Sequence, residues 1–298
     1  MIIKKIRRVL VKTRQNPRYL RYYVRNLSHY YFQKLFPTIY GLFKPEALDL
    51  GEATDLKRLH VIIRTTDQVM NINATRNLED IGIVTRNDVI RVGGCSLFKA
   101  GEQFTKTYGK ENLRITLVTD RLSDNGMTLY RKAAEEAGLS FDVVDSNGHG
   151  SGPSFLSQID VALQDPDDTL AFILEDDYLL DDQSFTICFR IMRDHSNVIG
   201  MNPHFHPDRV RRQDIGKLVT INGQLYSQIF NTCCTFFIPV KQIKRYEKNL
   251  RIFECWEDGC INSIWKRGIC LGPLGWTMAE ALHRSELSPV TTLLEHDS

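Results

Sequence analysis

No apolar run in this sequence approaches the roughly 18–20 residues that a membrane span requires, and its beginning lacks a long apolar stretch followed by a small-residue cleavage site. A spanning or exported protein is therefore not expected. The seven cysteines (Cys95, Cys188, Cys233, Cys234, Cys255, Cys260 and Cys270) are odd in number and show no Cys-x-x-Cys pairing of the kind a zinc ribbon uses, so they read as reduced thiols. Together these absences predict a cytoplasmic protein. Internal repeats and low-complexity tracts are also missing, which leaves no basis for a solenoid.

Acids are absent from residues 1–44, which carry eleven Lys and Arg; that segment is +11, leaving −9 on the remainder of a chain whose net charge is +2. From Pro17 to Phe36, Arg and Lys alternate with Tyr, Leu and Phe. Such a pattern suits an interfacial helix on an anionic membrane surface, placing the protein peripherally on the inner face of a membrane. Two alternatives stand beside it: a basic helix packed on the main domain through its aromatic stripe, or contact with nucleic-acid phosphates.

With 42% hydrophobic and 25% charged residues the 298-residue chain has ordinary globular composition. At roughly 100–200 residues per domain it holds one large domain or two small ones. The division read from the sequence is a basic helical segment over 1–58 and a main domain over 59–298, its donor and metal half 59–200 and its acceptor half 201–298. Apolar, β-branched runs at 59–67, 114–120, 140–146 and 169–177 alternate with helical patterns at 127–138 and 151–163, the second with a serine as its N-cap. This alternation predicts an α/β fold: a mixed, mainly parallel Rossmann-like sheet flanked by helices. Beyond residue 200 a hairpin is expected around Asn222-Gly223, then a strand at 232–240, a helix from Lys241 and another helix within 254–268. The segment 68–92, rich in Asn, Thr and Arg, reads as a loop.

Ligands of such sheets bind at the carboxyl ends of the strands, where Arg64, Thr65, Asp67, Asp120, Asp145 and Asp177 fall. Three adjacent carboxylates, Glu175, Asp176 and Asp177, repel one another at the mouth of a buried strand, and a hard divalent cation, Mn2+ or Mg2+, would neutralise them. The plainer alternative is that Asp176, Asp177, Asp181 and Asp182 cap the following helix. His149-Gly150-Ser151-Gly152 precedes a helix whose first N–H groups suit a phosphate or a sugar hydroxyl.

The stretches Ile63-Arg64-Thr65-Thr66-Asp67, Cys95-Ser96-Leu97-Phe98, Val118-Thr119-Asp120, Gly150-Ser151-Gly152-Pro153-Ser154-Phe155 and Leu174-Glu175-Asp176-Asp177-Tyr178-Leu179 occur in that order. His206-Pro207-Asp208, Asn231-Thr232-Cys233-Cys234-Thr235 and the terminal His283-Arg284-Ser285 follow. In this order the chain resembles bacterial and viral GT-A glycosyltransferases over about residues 59–295. It departs from their Asp-x-Asp metal signature, because Glu175 fills the first position. The resemblance implies that Asp177 binds the metal, that Glu175 lies near the ribose or a metal-bound water, that Asp120 faces the nucleobase, and that His283 is a further metal ligand. It also implies, from Trp256-Glu257-Asp258, that Asp258 or else Glu257 is the base of an inverting transfer. For both acids, the alternative is an acidic first helical turn.

The expectation is a metal-dependent enzyme of polysaccharide biosynthesis, moving a sugar from a nucleoside-diphosphate donor to a glycan or lipid-linked glycan. Its rivals are a nucleotidyltransferase or phosphoesterase on a similar sheet, and a non-catalytic nucleotide-binding or membrane scaffold. His204 and His206 could together hold a metal; acceptor-side hydrogen bonding is the preferred reading.

Overall fold

The computed structural model describes residues 48–67, 85–205, 215–232, 235–253, 261–274 and 276–282. By its contacts the chain forms two compact units, Met1–Pro45 and Glu46–Ser298, the first of which lies wholly outside the described residues. The second opens with an irregular stretch before its first strand. There Asn197 N–H donates to Leu50 O at 3.0 Å, Ser196 N–H to Glu52 O at 2.7 Å, and Leu56 is buried in the core. Residues 48–57 are thus packed parts of this unit.

Its elements in chain order are β1 (Arg58–Thr65), α1 (Arg86–Tyr108), β2 (Leu113–Thr119), α2 (Asp124–Glu136), β3 (Asp142–Asp145), α3 (Ser151–Ala162), β4 (Thr169–Glu175), β5 (Tyr178–Leu180) and α4 (Ser184–Asp194). Then come β6 (Val198–Met201), β7 (Ile215–Ile221), β8 (Gln224–Ile229), β9 (Phe236–Pro239), α5 (Val240–Leu250), β10 (Ile269–Pro273) and β11 (Ala279–Ala281). Among the described residues nine strands form one sheet in the order β3-β2-β1-β4-β9-β6-β10-β8-β7, and β11 pairs with β5 beside it. Neighbours β3, β2, β1 and β4 are parallel, β9 runs against β4 and β6, and β8 runs against β10 and β7. The mixed, mainly parallel sheet between helices expected from the alternation is the architecture observed.

Strand alternation divides the core in two. Val61 and Ile63 face the layer of α1, α2 and α4 together with Leu97, Phe98, Tyr130 and Phe189, while Ile62, Ala171 and Ile173 face α3 and α5 with Phe155, Ile159 and Ile243. All of these are almost fully buried, and at about 25 cal/mol per Å² of apolar area their removal from water is the main favourable term in folding. Gln158 of α3 reaches into the sheet and donates to Ile62 O at 2.6 Å and Leu174 O at 3.0 Å, tying β1 to β4 near their carboxyl ends.

Several local expectations change. The loop read over 68–92 stops at Thr85, because Thr85 and Asp88 form a capping box that starts α1 at Arg86; residues 68–84 lie outside the described residues. Helix α3 is capped by Gly150 without a side-chain bond, so Ser151 is its first helical residue rather than its cap. The hairpin at Asn222-Gly223 is present, with φ of 50° and 79° at its two turn residues, as a tight primed turn demands. The helix expected within 254–268 is helical at 261–265, where it is described.

Candidate functional site at the carboxyl edge of the sheet

The site is built where β1, β2 and β4 end. Arg64 and Glu175 are direct register partners on the parallel strands β1 and β4, with side chains on the same face. They form an ion pair, and the Arg64 guanidinium also donates to Ser151 O at 2.8 Å and lies 3.4 Å from Ser151 Oγ at the start of α3. One planar, multi-donor group therefore joins two strand ends to a helix N-terminus, with a fixed fork that a lysine lacks. Glu175 is fixed from its other side by its N–H, which donates to Thr235 Oγ1 at 3.3 Å. Gly150 has φ of 94°, the left-handed region that glycine adopts without strain, and this turn brings the α3 N-terminus to the edge.

Asp176 turns to the opposite face and is 7% exposed. Arg86, the first residue of α1, forms an ion pair with it; Thr66 N–H donates to Asp176 Oδ2 at 3.1 Å, and Arg86 Nε to Thr66 O at 2.8 Å. Burial pushes the Asp176 carboxyl up and Arg86 opposes it, while Asp177 pushes it further up. The Arg86 guanidinium, although burial disfavours its charge, is raised by Asp176 and Asp177.

At the end of β2, Asp120 accepts from Gly150 N–H and from His149 Nδ1, each at 2.8 Å, and from Arg121 Nε at 3.0 Å. Burial would raise its pKa, but these hydrogen bonds hold it below the usual carboxylate value. Thr65 turns inward, where its Oγ1 accepts from Tyr130 OH at 3.1 Å. Asp67 meets the start of α2, accepting the Ser123 N–H at 3.1 Å and also its hydroxyl, which in turn caps Gly126 N–H. Gly152 lies in the first turn of α3. The edge thus unites Arg64, Asp120, Gly150, Ser151, Gly152, Glu175 and Asp176, while Thr65 and Asp67 support it through α2.

Arg64 pairs with Glu175 and Arg86 with Asp176, so part of the repulsion expected among the three carboxylates is relieved by protein cations. Asp181 Oδ1 accepts Gln183 N–H at 2.8 Å in the turn before α4, and Gln183, the N-cap of that helix, makes no side-chain cap bond. Among the described residues no group of three or more His, Cys, Asp or Glu could hold a metal ion. Asp177 is the acid of this turn that could hold a cation whose shell is completed by phosphate oxygens and water, as magnesium's is.

Glu257, Asp258, His283, His206 and residues 1–44 lie outside the described residues. His204 is 2% exposed, with Nδ1 at 2.8 Å from Ala279 O and its ring edge-on to Tyr178, so it belongs to the core. Sequence reading missed Arg86 and Ser123 as parts of this edge, and it named His149 and Thr235 only within longer stretches, without a role of their own. Only Arg86 left a local signal, the capping box that marks a helix start there. Among the described residues no helix is long and apolar enough to cross a membrane.

No family model and no curated protein matches this chain. Among solved structures it is similar to the mannosyltransferase PcManGT from Pyrobaculum calidifontis in complex with GDP-Man and Mn2+, at 12% identity and a TM-score of 0.43 over 74% of this chain and 55% of that one. It is also similar to S. aureus TarS 1-349 in complex with UDP-GlcNAc, at 13% identity and a TM-score of 0.45 over 78% and 61%. A third is the galactosyltransferase LgtC in complex with donor and acceptor sugar analogs, at 12% identity and a TM-score of 0.39 over 71% and 72%. The chain thus spans less than two thirds of the length of the first two.

Proposed function

We propose that this protein is a glycosyltransferase that takes a sugar from a nucleoside-diphosphate donor and passes it, with inversion, to a glycan or lipid-linked glycan. The observation that supports this reading is the Arg64 guanidinium, which joins Glu175 to Ser151 beside the glycine-opened N-terminus of α3. A positive fork and helix N–H donors on one side of the crevice, with an acidic turn on the other, suit a diphosphate flanked by a nucleoside and a sugar.

In this reading Arg64, Gly150, Ser151 and Gly152 receive the diphosphate, and Glu175 and Asp120 line the nucleoside side. Asp176, locked by Arg86, fixes the direction of Asp177. Asp177 and His283 would hold a Mn2+ or Mg2+ ion, which would supply a Lewis acid for the diphosphate leaving group. Asp258, or Glu257 in its place, takes the proton of the acceptor hydroxyl on the face opposite the leaving group. The basic segment 1–44 offers a surface for an anionic membrane on the cytoplasmic side.

Thermal unfolding against UDP-, GDP-, CMP- and dTDP-sugars, with and without Mn2+, for wild type and Asp177→Ala tests the reading. A metal-dependent rise in Tm for one nucleotide class, absent in the variant, is expected. If no nucleotide shifts the wild type, the reading fails. Release of pyrophosphate or a nucleoside monophosphate, rather than a diphosphate, would assign the site to nucleotidyl or phosphoester chemistry instead.

A further inference from the structure

Asp120 closes β2 and is 4% exposed, yet its oxygens receive three donors of its own chain: His149 Nδ1, Arg121 Nε and Gly150 N–H. Because these hydrogen bonds keep the carboxyl ionised, it can only accept, and the proton in its bond with His149 sits on Nδ1. Nε2 of a neutral imidazole so held is an acceptor on the far side of the ring, as in other carboxylate–histidine pairs. The His149 side chain is 67% exposed and immediately precedes the Gly150-Ser151 segment that Arg64 holds.

We infer that His149 is a donor-binding residue whose Nε2 accepts an O–H or N–H of the nucleoside part of a nucleoside diphosphate, and that Asp120 is the positioning residue that fixes its tautomer and direction. This inference rests on the proposed function and deepens it. It moves the nucleoside contact at the end of β2 from the buried carboxylate to the imidazole the carboxylate holds. An acceptor at Nε2 matches a hydroxyl or ring N–H and not a phosphate oxygen, so His149 contributes to recognition of the nucleoside rather than of the diphosphate.

The test is calorimetric titration of UDP, GDP, CDP, dTDP and inorganic pyrophosphate into wild type, His149→Ala, His149→Asn, Asp120→Asn and the double variant Asp120→Asn/His149→Asn. An asparagine amide sits where Nδ1 does and keeps the bond to Asp120, but it has no counterpart of Nε2. Both His149 variants are expected to bind the preferred nucleoside diphosphate about tenfold more weakly, the scale of one hydrogen bond, with pyrophosphate binding unchanged. Asp120→Asn is expected to weaken binding alone and to add little in the His149→Asn background, the sign of residues acting as one unit. Wild-type affinity in His149→Asn would make His149 a loop anchor and overturn the inference, as would full additivity in the double variant. Failure of the wild type to bind any of the four nucleoside diphosphates is a different result, and it would overturn the proposed function itself.

Discussion

Arg86 and Asp176, 90 residues apart, form a partly buried ion pair, its carboxylate on the buried side, closed into a ring by Thr66, whose N–H donates to Asp176 Oδ2 and whose carbonyl accepts from Arg86 Nε. The ring ties the end of β1 to the start of α1 and to the turn after β4. It holds Asp176 to the protein side, and the next residue, Asp177, starts from a fixed backbone.

Removing one member of such a pair leaves a buried, uncompensated charge. Arg86→Met is expected to cost about 3–5 kcal/mol, whereas Arg86→Met with Asp176→Leu is expected to recover most of that loss. Urea unfolding of both variants gives the comparison, and an equal loss in the two would show that the ring contributes more through packing than through charge.

Adjacent glycines on α1 carry opposite expectations. A Cβ at Gly93 would stand 2.9 Å from Asp176 O and 3.2 Å from Tyr178 O, both backbone atoms, whereas one at Gly94 would meet the Tyr130 ring at 3.4 Å, ordinary contact. Gly93→Ala is therefore expected to destabilise by about 1–3 kcal/mol through overpacking, and Gly94→Ala to be neutral or to gain up to about 1 kcal/mol from helix propensity. Melting temperatures of the two variants decide this, and Gly93→Ala should also lose activity because the clash falls on the acidic turn.

Glu280 on β11 is 5% exposed, and burial alone pushes its carboxyl from 4.5 to about 7. Below pH 4.5 the group is neutral in both states and costs nothing. Between pH 4.5 and about 7 the unfolded chain releases its proton first, so stability falls as pH rises, by about 3 kcal/mol at the plateau above pH 7. Glu280→Gln should accordingly raise Tm at pH 8 and leave it nearly unchanged at pH 4; equal effects at both would show that the carboxyl is not held neutral by its surroundings.

Arg64→Lys keeps the charge and loses the fork that reaches both Glu175 and Ser151. Under the proposed function the expected result is a rise in donor KM of about tenfold with a change in stability within about 1 kcal/mol, since one hydrogen bond is lost at a partly exposed position. Steady-state kinetics with varied donor gives KM, and an unchanged KM would remove Arg64 from the donor edge.

The alternation of apolar runs at 59–67, 114–120 and 169–177 with helical patterns was enough to read the parallel half of the sheet, because buried strands are marked residue by residue. The later strands were less legible. β6 is four residues long, and β10 shares its sheet with strands running both ways, so neither carries a local period that sets it apart. The start of α1 was readable in principle from Thr85-x-x-Asp88, but the Asn- and Thr-rich composition before it suggested that the loop ran further.

Chain order and composition by themselves determined that polar residues would gather at the ends of β1, β2 and β4, since a parallel pair fed by right-handed crossovers brings its carboxyl ends to one edge. Only the tertiary structure decided how those charges are matched. Three consecutive acids read as a site needing a cation, yet Arg64 answers Glu175 from the neighbouring strand and Arg86 answers Asp176 from a helix 90 residues earlier. Ion pairs of that kind depend on distance in space, and distance along the chain carries no record of it.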